Sequence, residues 1–281
     1  MELVSHIVDE VSNDAGMLPA QRIRTLQNCA LSHRSFACCV ARHTFKTVKF
    51  TQMSGEESKG TDVASRIHLL ADIIRGNRRI GSAIQSLAIE LQVAGEQLVL
   101  RQNEDFQAII PSLDNLHSFS LAGTPAFERY WAKVQTEVYY LLHDLFRKNS
   151  NTLSTVELRR ISNFPLDLLI GCTSLQSLTC DQLCCEDATS RKENLSTGIS
   201  RQSVRIAMLS GCPDVLSRLG YPLGGAVGPR MDQLESLRCP FETQMDLRYL
   251  SRMATGVLQF LHLQCKSSWI PKGELLLFSE F

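Results

Sequence analysis

The sequence predicts an α/β fold in which all-α N-terminal helices are followed by an irregular solenoid of short parallel strands alternating with helices. In the first fifty residues, apolar side chains recur at helical spacing, as Leu3, Ile7 and Val11 do. Beyond residue 80, one apolar figure recurs six times: an apolar residue, two spacers, a second apolar residue, one spacer and a third. A figure repeated in this way indicates structural units that stack on one another.

The N-terminal segment divides into three predicted helices. Residues 13–16 interrupt the first helix, and Pro19 favours the start of a second, because proline is well tolerated at the first helical position. The spacing of Phe36, Cys39 and Val40 predicts a third short helix.

A strand and a fourth helix are predicted next along the chain. Polar and apolar residues alternate over 43–50, which is typical of a short strand. The polar, glycine-containing stretch 51–61 forms a natural boundary, and apolar residues at helical spacing predict a helix over 62–76.

The recurring figure predicts a series of strands, because side chains alternate along a strand and the last two apolar residues of each copy share one face. The six copies are Ile84/Leu87/Ile89, Leu116/Phe119/Leu121, Leu153/Val156/Leu158, Leu175/Leu178/Cys180, Leu234/Leu237/Cys239 and Leu258/Leu261/Leu263. The 59 residues before the fifth copy are about two repeats long, and Val204/Ile206/Met208 is predicted as a degenerate strand within them. Amphipathic helices are predicted over about 127–146 and 244–255.

Two copies of the figure extend upstream. Leu113 and Cys172 lie three positions before their copies and complete the L-x-x-L-x-x-L-x-L frame of leucine-rich repeats. Each such unit leaves an apolar edge that only a neighbouring unit can cover. Residues 81–281 are therefore predicted to form a leucine-rich-repeat-like domain.

Composition and charge exclude several classes of protein. The 281 residues are 44% hydrophobic and 21% charged, which suits one large or two smaller domains with a sizeable core. Lys plus Arg and Asp plus Glu are 29 each, so the zero net charge disfavours a nucleic-acid partner. No apolar run reaches the length of a membrane span, and the first residues lack the basic region of a signal peptide, so a cytoplasmic or nuclear protein is expected.

No arrangement of residues predicts catalysis, a cofactor or a metal site. The ten cysteines contain no C-x-x-C spacing and are interpreted as small buried hydrophobic residues, and the seven histidines are scattered. The glycine-rich stretch 220–229 lacks the Lys-Ser/Thr ending of a phosphate-binding loop. Cys184 and Cys185 lie near Asp181 without a neighbouring group that would activate a thiol. The chain is therefore predicted not to be an enzyme.

The N-terminal residues resemble a known module. Residues 2–11 (ELVSHIVDEV) and 29–36 (CALSHRSF) are similar to two helices of the F-box-like module, in the version abundant in basidiomycete fungi. Further likeness to the same family lies in residues 43–48, 66–77, 84–89 and 161–169. The resemblance implies an F-box-like helical module over 1–50, and a linker with a connecting helix over 51–80.

The resemblance also implies a function. F-box-like helices bind a Skp-type adaptor of a cullin ubiquitin ligase, and the repeat domain of such a substrate receptor binds a protein target. The Leu-Pro pair that usually opens such modules is missing ahead of Glu2. The alternative is therefore a leucine-rich-repeat interaction scaffold with a degenerate F-box and no ligase role.

Two sets of site residues follow from this interpretation. The apolar side of the first helices is predicted to bind the adaptor, although the same residues could form the core of the module: Leu3, Val4, Ile7, Leu26, Leu31 and Phe36. Side chains beside the buried strand positions are predicted to face the target: Glu90, Glu157, Arg159, Asp181, Arg238, Phe260 and His262.

Overall fold

The structure, a computed structural model, describes residues 2–50, 63–91, 93–94, 97–98, 104–123, 131–161, 164, 166–169, 171–182, 204–210, 233–241, 259–265 and 275–277. Within these residues the α-helices are α1 (Glu2–Asn13), α2 (Pro19–Ser32), α3 (Arg34–Thr44), α4 (Val63–Gly76), α5 (Arg79–Ala83), α6 (Glu104–Ile109) and α7 (Trp131–Lys148). Short 3-10 helices cover Ile110–Ser112 and Leu166–Leu169.

The strands make this an α/β structure, as predicted. They are β1 (Thr47–Phe50), β2 (Ser86–Leu91), β3 (Val93–Ala94), β4 (Gln97–Leu98), β5 (Ser118–Gly123), β6 (Thr155–Arg159), β7 (Ser177–Asp181), β8 (Ile206–Ser210), β9 (Ser236–Phe241), β10 (Phe260–Cys265) and β11 (Leu275–Leu277). The predicted helices over 62–76 and 127–146 correspond to α4 and α7. The helix predicted over 244–255 lies outside the described residues.

The three N-terminal helices pack around a small core of their own. Val8, Leu26, Cys39 and Val40 come from α1, α2 and α3 and form one buried cluster. Proline begins α2, where a missing backbone N–H costs nothing. The ring of His33 caps α3 by accepting a hydrogen bond from the Ser35 N–H at 3.1 Å. Each predicted N-terminal helix is therefore present.

The predicted strand over 43–50 is too long. Helix α3 continues through Thr44, and the Phe45 N–H closes its last turn on the Ala41 carbonyl at 2.9 Å. Only Thr47–Phe50 is extended. Alternation over so few residues does not separate the end of a helix from the start of a strand.

The strands form a single large sheet in the order β1-β2-β5-β6-β7-β8-β9-β10-β11, while β3 and β4 form a separate two-stranded sheet. Pairing is parallel from β1 to β10, and β11 adds an antiparallel edge. Since β1 pairs with β2, the sheet begins within the first fifty residues of the chain.

A backbone ladder aligns the beginnings of the strands. Two consecutive N–H groups, those of Gln85 and Ser86, donate to the carbonyl of Lys46 in the preceding rung, both at 2.9 Å. The same pattern recurs at every parallel step, with distances between 2.8 and 3.0 Å. The eight parallel strands in the described part of the chain therefore begin at one level of the sheet.

The inward positions of the recurring figure form the main core. Across the sheet, Leu87, Phe119, Val156 and Leu178 stand in one register column, and each is buried. The helix α7 covers part of this layer, where the ring of Phe146 meets that of Phe119 edge-on at 5.3 Å.

The residues predicted to face the core in β8, Ile206 and Met208, are wrong by one position. Ala207 pairs with Leu178 and Leu209 pairs with Cys180, so that Val204, Ala207 and Leu209 face the core. A shift of one residue reverses the two faces of a strand. With Val204 as its start, this copy divides the 59-residue interval into 29 and 30.

The sequence prediction also missed one copy of the figure. Phe45, Val48 and Phe50 have the same spacing as the six copies, and all three pack into or against the main core. This copy supplies β1, the first strand of the sheet.

The backbone at Gly81 of α5 lies so close to Ser112 that there is no room for a larger side chain. A Cβ atom there would collide with the Oγ of Ser112 and lie 2.6 Å from its carbonyl oxygen. Because a backbone atom cannot move aside cheaply, we expect Gly81→Ala to lower the free energy of unfolding by about 1–3 kcal/mol. The measurement is urea denaturation followed by circular dichroism.

Gly76 provides the matched control for this prediction. It also lies in a helix, α4, but a Cβ there would meet nothing within 4 Å. Gly76→Ala should raise the stability by up to about 1 kcal/mol, because alanine favours the helix. Equal changes in the free energy of unfolding for the two substitutions would contradict the close approach of Ser112 to Gly81.

Candidate interaction surfaces

The N-terminal helices expose several of the residues predicted to bind an adaptor. Leu3 is 71% exposed and Leu31 is 86% exposed, and Ile7 is also on the surface. Leu3 and Ile7 are four residues apart on α1 and therefore share one face of that helix.

The other three predicted residues contribute to the small N-terminal core. Leu26 is buried in it, while Val4 and Phe36 are half-buried and pack against it. The structure therefore divides the predicted set between surface and core. Two apolar residues that the prediction did not name, Leu18 and Ile23, are exposed on or beside α2.

A close side-chain contact links the first and third helices. The Nε2 atom of His43 lies 2.7 Å from Oδ1 of Asp9, which joins α3 to α1. The loop between α1 and α2 is held by Asp14, whose Oδ1 accepts a hydrogen bond from the Gly16 N–H at 2.8 Å. These contacts orient α1, which carries Leu3 and Ile7.

Six of the seven residues predicted to bind a target fall into two groups on the strands of the sheet, and Glu90 lies apart from both. In the first group, Glu157 and Arg159 form an ion pair on β6, and the Ser120 hydroxyl donates to Glu157 at 3.0 Å. Arg159 pairs in register with Asp181 on β7. Glu90 lies apart from them on β2, opposite Ala122 of β5.

The second group lies at the C-terminal end of the sheet. Arg238 on β9 is exposed, and Phe260 on β10 is 58% exposed. His262 stands opposite Arg238 in the register of β9 and β10. The structure therefore brings these three positions together on neighbouring strands.

The character of the outward face changes along the sheet. In the first outward row, Ser86, Ser118, Thr155 and Ser177 follow one another in register from β2 to β7. The row then continues with Ile206, Ser236 and Phe260. Large apolar side chains thus stand in this row at β8 and β10, whereas β9 still contributes a serine.

An exposed charge cluster joins α4 to α6. Nδ1 of His68 lies 2.6 Å from Asp105, its Nε2 lies 3.4 Å from Asp72, and Arg75 bridges the two carboxylates. The hydrogen bond to Asp105 raises the pKa of His68, and the same bond, with that from Arg75, lowers the pKa of Asp105.

The titration of His68 tests this cluster. We expect Asp105→Asn to return the pKa of His68 towards its ordinary value of 6.5. Because the folded-state pKa is raised, the stabilisation from this contact is complete below pH 6.5 and is lost as the pH rises through the raised value. NMR of the imidazole Cε1–H signal measures the shift. Asp144→Asn, on α7, is the control, and an unchanged His68 titration in Asp105→Asn would contradict the contact.

The prediction that the cysteines are buried hydrophobic residues holds for some of the described cysteines and is wrong for Cys38. Cys39, Cys172 and Cys180 are buried, whereas Cys38 is exposed and Cys29 is half-buried. Burial raises the pKa of Cys172 to about 12, which keeps its thiol protonated and unreactive. Cys184, Cys185 and the glycine-rich stretch 220–229 lie outside the described residues.

Further observations and the comparisons complete the description of these surfaces. Among the described residues, no group of three or more His, Cys, Asp or Glu side chains is placed to hold a metal ion. No helix in the described part of the chain has the length and apolar character needed to cross a membrane. Comparisons with protein-family models, with curated proteins and with solved structures found no match.

Proposed function

We propose that this chain is a non-enzymatic receptor resembling the substrate receptor of a Skp–cullin–F-box ubiquitin ligase. Its N-terminal helices would form an F-box-like module that binds a Skp-type adaptor, and its sheet a leucine-rich-repeat-like domain that binds a protein target. The observation that carries the proposal is the exposure of Leu3, Ile7 and Leu31 on a helical unit that already has a core.

These exposed side chains suit a helix-in-groove contact. The small core of Val8, Leu26, Cys39 and Val40 does not use them, so they are available to a partner. Anchors four residues apart on one helix are the usual form of such contacts. Complete burial of a leucine or isoleucine contributes roughly 1.5–3 kcal/mol, so two anchors can support a stable complex.

The sheet suits a second contact. Its parallel strands begin at one level, so that their outward side chains form straight rows across neighbouring strands. These rows mix hydroxyls with charged residues such as Glu157 and Arg159. A long surface of this kind, next to a separate docking module, would bring a bound target close to the adaptor, which raises the effective concentration of the target without bond chemistry.

Co-purification with a fungal Skp-type adaptor tests the first contact. We expect the wild-type chain to form a stoichiometric complex, and Leu3→Asp/Ile7→Asp to weaken it by roughly 100-fold or more, because two apolar anchors are lost. The dissociation constant is measured by calorimetry, and circular dichroism checks that the double variant is folded.

Leu69→Asp is the matched control, since Leu69 is an exposed leucine on α4, outside the three N-terminal helices. It should bind the adaptor as the wild type does. No wild-type complex, even after Leu-Pro is added ahead of Glu2, would contradict the ligase role and leave a repeat scaffold with a degenerate F-box. An intact complex in the double variant would contradict the proposed docking face.

A further inference from the structure

Four exposed residues form a distinct surface on the last strands of the sheet, here called the C-terminal patch. Ile206 and Met208 on β8 are 44% and 43% exposed, Phe260 on β10 is more exposed still, and Arg238 lies between them on β9. In register, Ile206 is opposite Ser236, which is opposite Phe260, and Met208 is opposite Arg238. All four therefore lie on the outward face.

The dimensions of the patch follow from the geometry of a sheet. Neighbouring strands are about 4.8 Å apart, so Ile206 and Phe260, two strands apart, are separated by roughly 10 Å. Ile206 and Met208, two residues apart on one strand, are separated by roughly 7 Å. Such an area holds two or three side chains of a short peptide segment.

The rest of the outward face differs from this patch. In the strands before β8 the corresponding row carries hydroxyls, among them Ser118 and Thr155. The two charges on β6 are paired with each other, and Glu157 also accepts a hydrogen bond from Ser120. On the outward face, the large exposed apolar side chains are thus concentrated on β8 and β10, beyond the strands whose first outward row carries hydroxyls.

Arg238 gives the patch a charge. No hydrogen bond or ion pair joins its guanidinium to any part of the chain that the structure describes. Glu235, three residues earlier, is held by Arg205, whose Nε and Nη2 donate to its two carboxylate oxygens at 2.9 and 2.8 Å. Arg238 therefore presents a positive charge among apolar side chains, which a carboxylate would complement.

We infer that the C-terminal patch binds a short segment of a partner protein that carries large apolar side chains beside an aspartate or glutamate. The inference rests on the proposed function, because it states the chemistry of the target that the sheet holds. Ile206, Met208 and Phe260 bury the apolar side chains of the segment, and Arg238 pairs with its carboxylate. Aromatic and arginine residues are the types that dominate binding energy at interfaces.

A charge-reversal experiment tests the inference. A display library of short random peptides is selected in parallel on the purified wild-type chain and on Arg238→Glu. We expect the wild type to enrich peptides that combine Asp or Glu with Leu, Ile or Phe, and Arg238→Glu to enrich Lys or Arg instead of the acids. For the synthesised wild-type consensus peptide, Phe260→Ser should raise the Kd by about tenfold or more.

Two controls match these variants. Arg147→Glu reverses an exposed charge on α7, and Leu69→Ser removes an exposed apolar side chain on α4, so both should keep the Kd of the wild type. No enrichment, or the same charge preference in wild type and Arg238→Glu, overturns the inference. A wild-type dimer that Phe260→Ser dissociates in sedimentation would assign the patch to a second copy of the chain and overturn it as well.

The assay contains no adaptor, which separates this inference from the proposed function. A chain that binds the acidic peptide but no Skp-type adaptor would keep the inference and contradict the ligase role. A chain that binds the adaptor but shows no peptide preference would support the ligase role and overturn the inference.

Discussion

Phe119→Ala is expected to lower the free energy of unfolding by about 3–5 kcal/mol, because it removes a large, fully buried ring. Phe119 is the second residue of β5 and lies between Leu87 and Val156 in register. Its ring meets that of Phe146 of α7 at an interplanar angle of 85°. The substitution thus opens a cavity between the sheet and the helix. Urea denaturation followed by fluorescence and circular dichroism measures the loss.

Phe119→Leu is the control for this prediction. It keeps most of the apolar volume, so we expect a loss of about 1.5 kcal/mol or less. A loss below about 1 kcal/mol in Phe119→Ala would contradict the packing of α7 on the sheet, since a cavity of that size cannot close without cost.

Asn149→Leu is expected to lower the free energy of unfolding by about 2 kcal/mol or more. Asn149 follows α7 and is fully buried; its Oδ1 accepts the Leu116 N–H at 2.8 Å, and its Nδ2 donates to the Leu113 and Leu145 carbonyls at 3.0 and 2.9 Å. Leucine has a similar volume but leaves two buried backbone groups, the Leu116 N–H and the Leu113 carbonyl, without partners, at about 1–3 kcal/mol each. The Leu145 carbonyl still accepts the backbone N–H of residue 149. Chemical denaturation measures the change.

For Asn149→Asp, we expect the loss in the free energy of unfolding to depend on pH. An ionised carboxylate would face the carbonyls of Leu113 and Leu145, so burial should raise the folded-state pKa of the new acid above its unfolded value of about 3.9. The destabilisation should therefore be largest at neutral pH. It should shrink as the pH falls through the raised folded-state pKa towards the unfolded value of about 3.9. Asn151→Asp, at an exposed asparagine nearby, should show no such recovery. A pH-independent loss at position 149 would contradict the hydrogen bonds described.

The repeating strands could be predicted because their chemistry is local. In β5, β6 and β7 the figure and the burial agree at each position, since one face of each strand meets the core and the other meets solvent. In β8 the two exposed residues, Ile206 and Met208, are more apolar than the buried Ala207. Hydrophobicity alone therefore favours the wrong face, and only the register with β7 corrects it.

The sites were less predictable because they depend on distant residues. Asn149 lies in a polar stretch that reads as an exposed turn, and its burial comes from the loop at Leu113 and Leu116. Leu26 has the same helical spacing as the exposed apolar residues, and only the packing of three helices assigns it to their core. Arg238 is left without Glu235 as a partner because Arg205 binds that carboxylate, and no spacing in the sequence indicates this pairing.

The order of the sheet has a further consequence for how the protein comes apart. Within the described residues, each parallel strand of the large sheet is hydrogen-bonded only to its immediate neighbours in the sheet order, so its backbone pairing is local. Structures of this kind can fray from one end while the remainder stays folded. We therefore expect a change in the last strands to leave the N-terminal helices folded, so that the two proposed binding faces can change independently of each other.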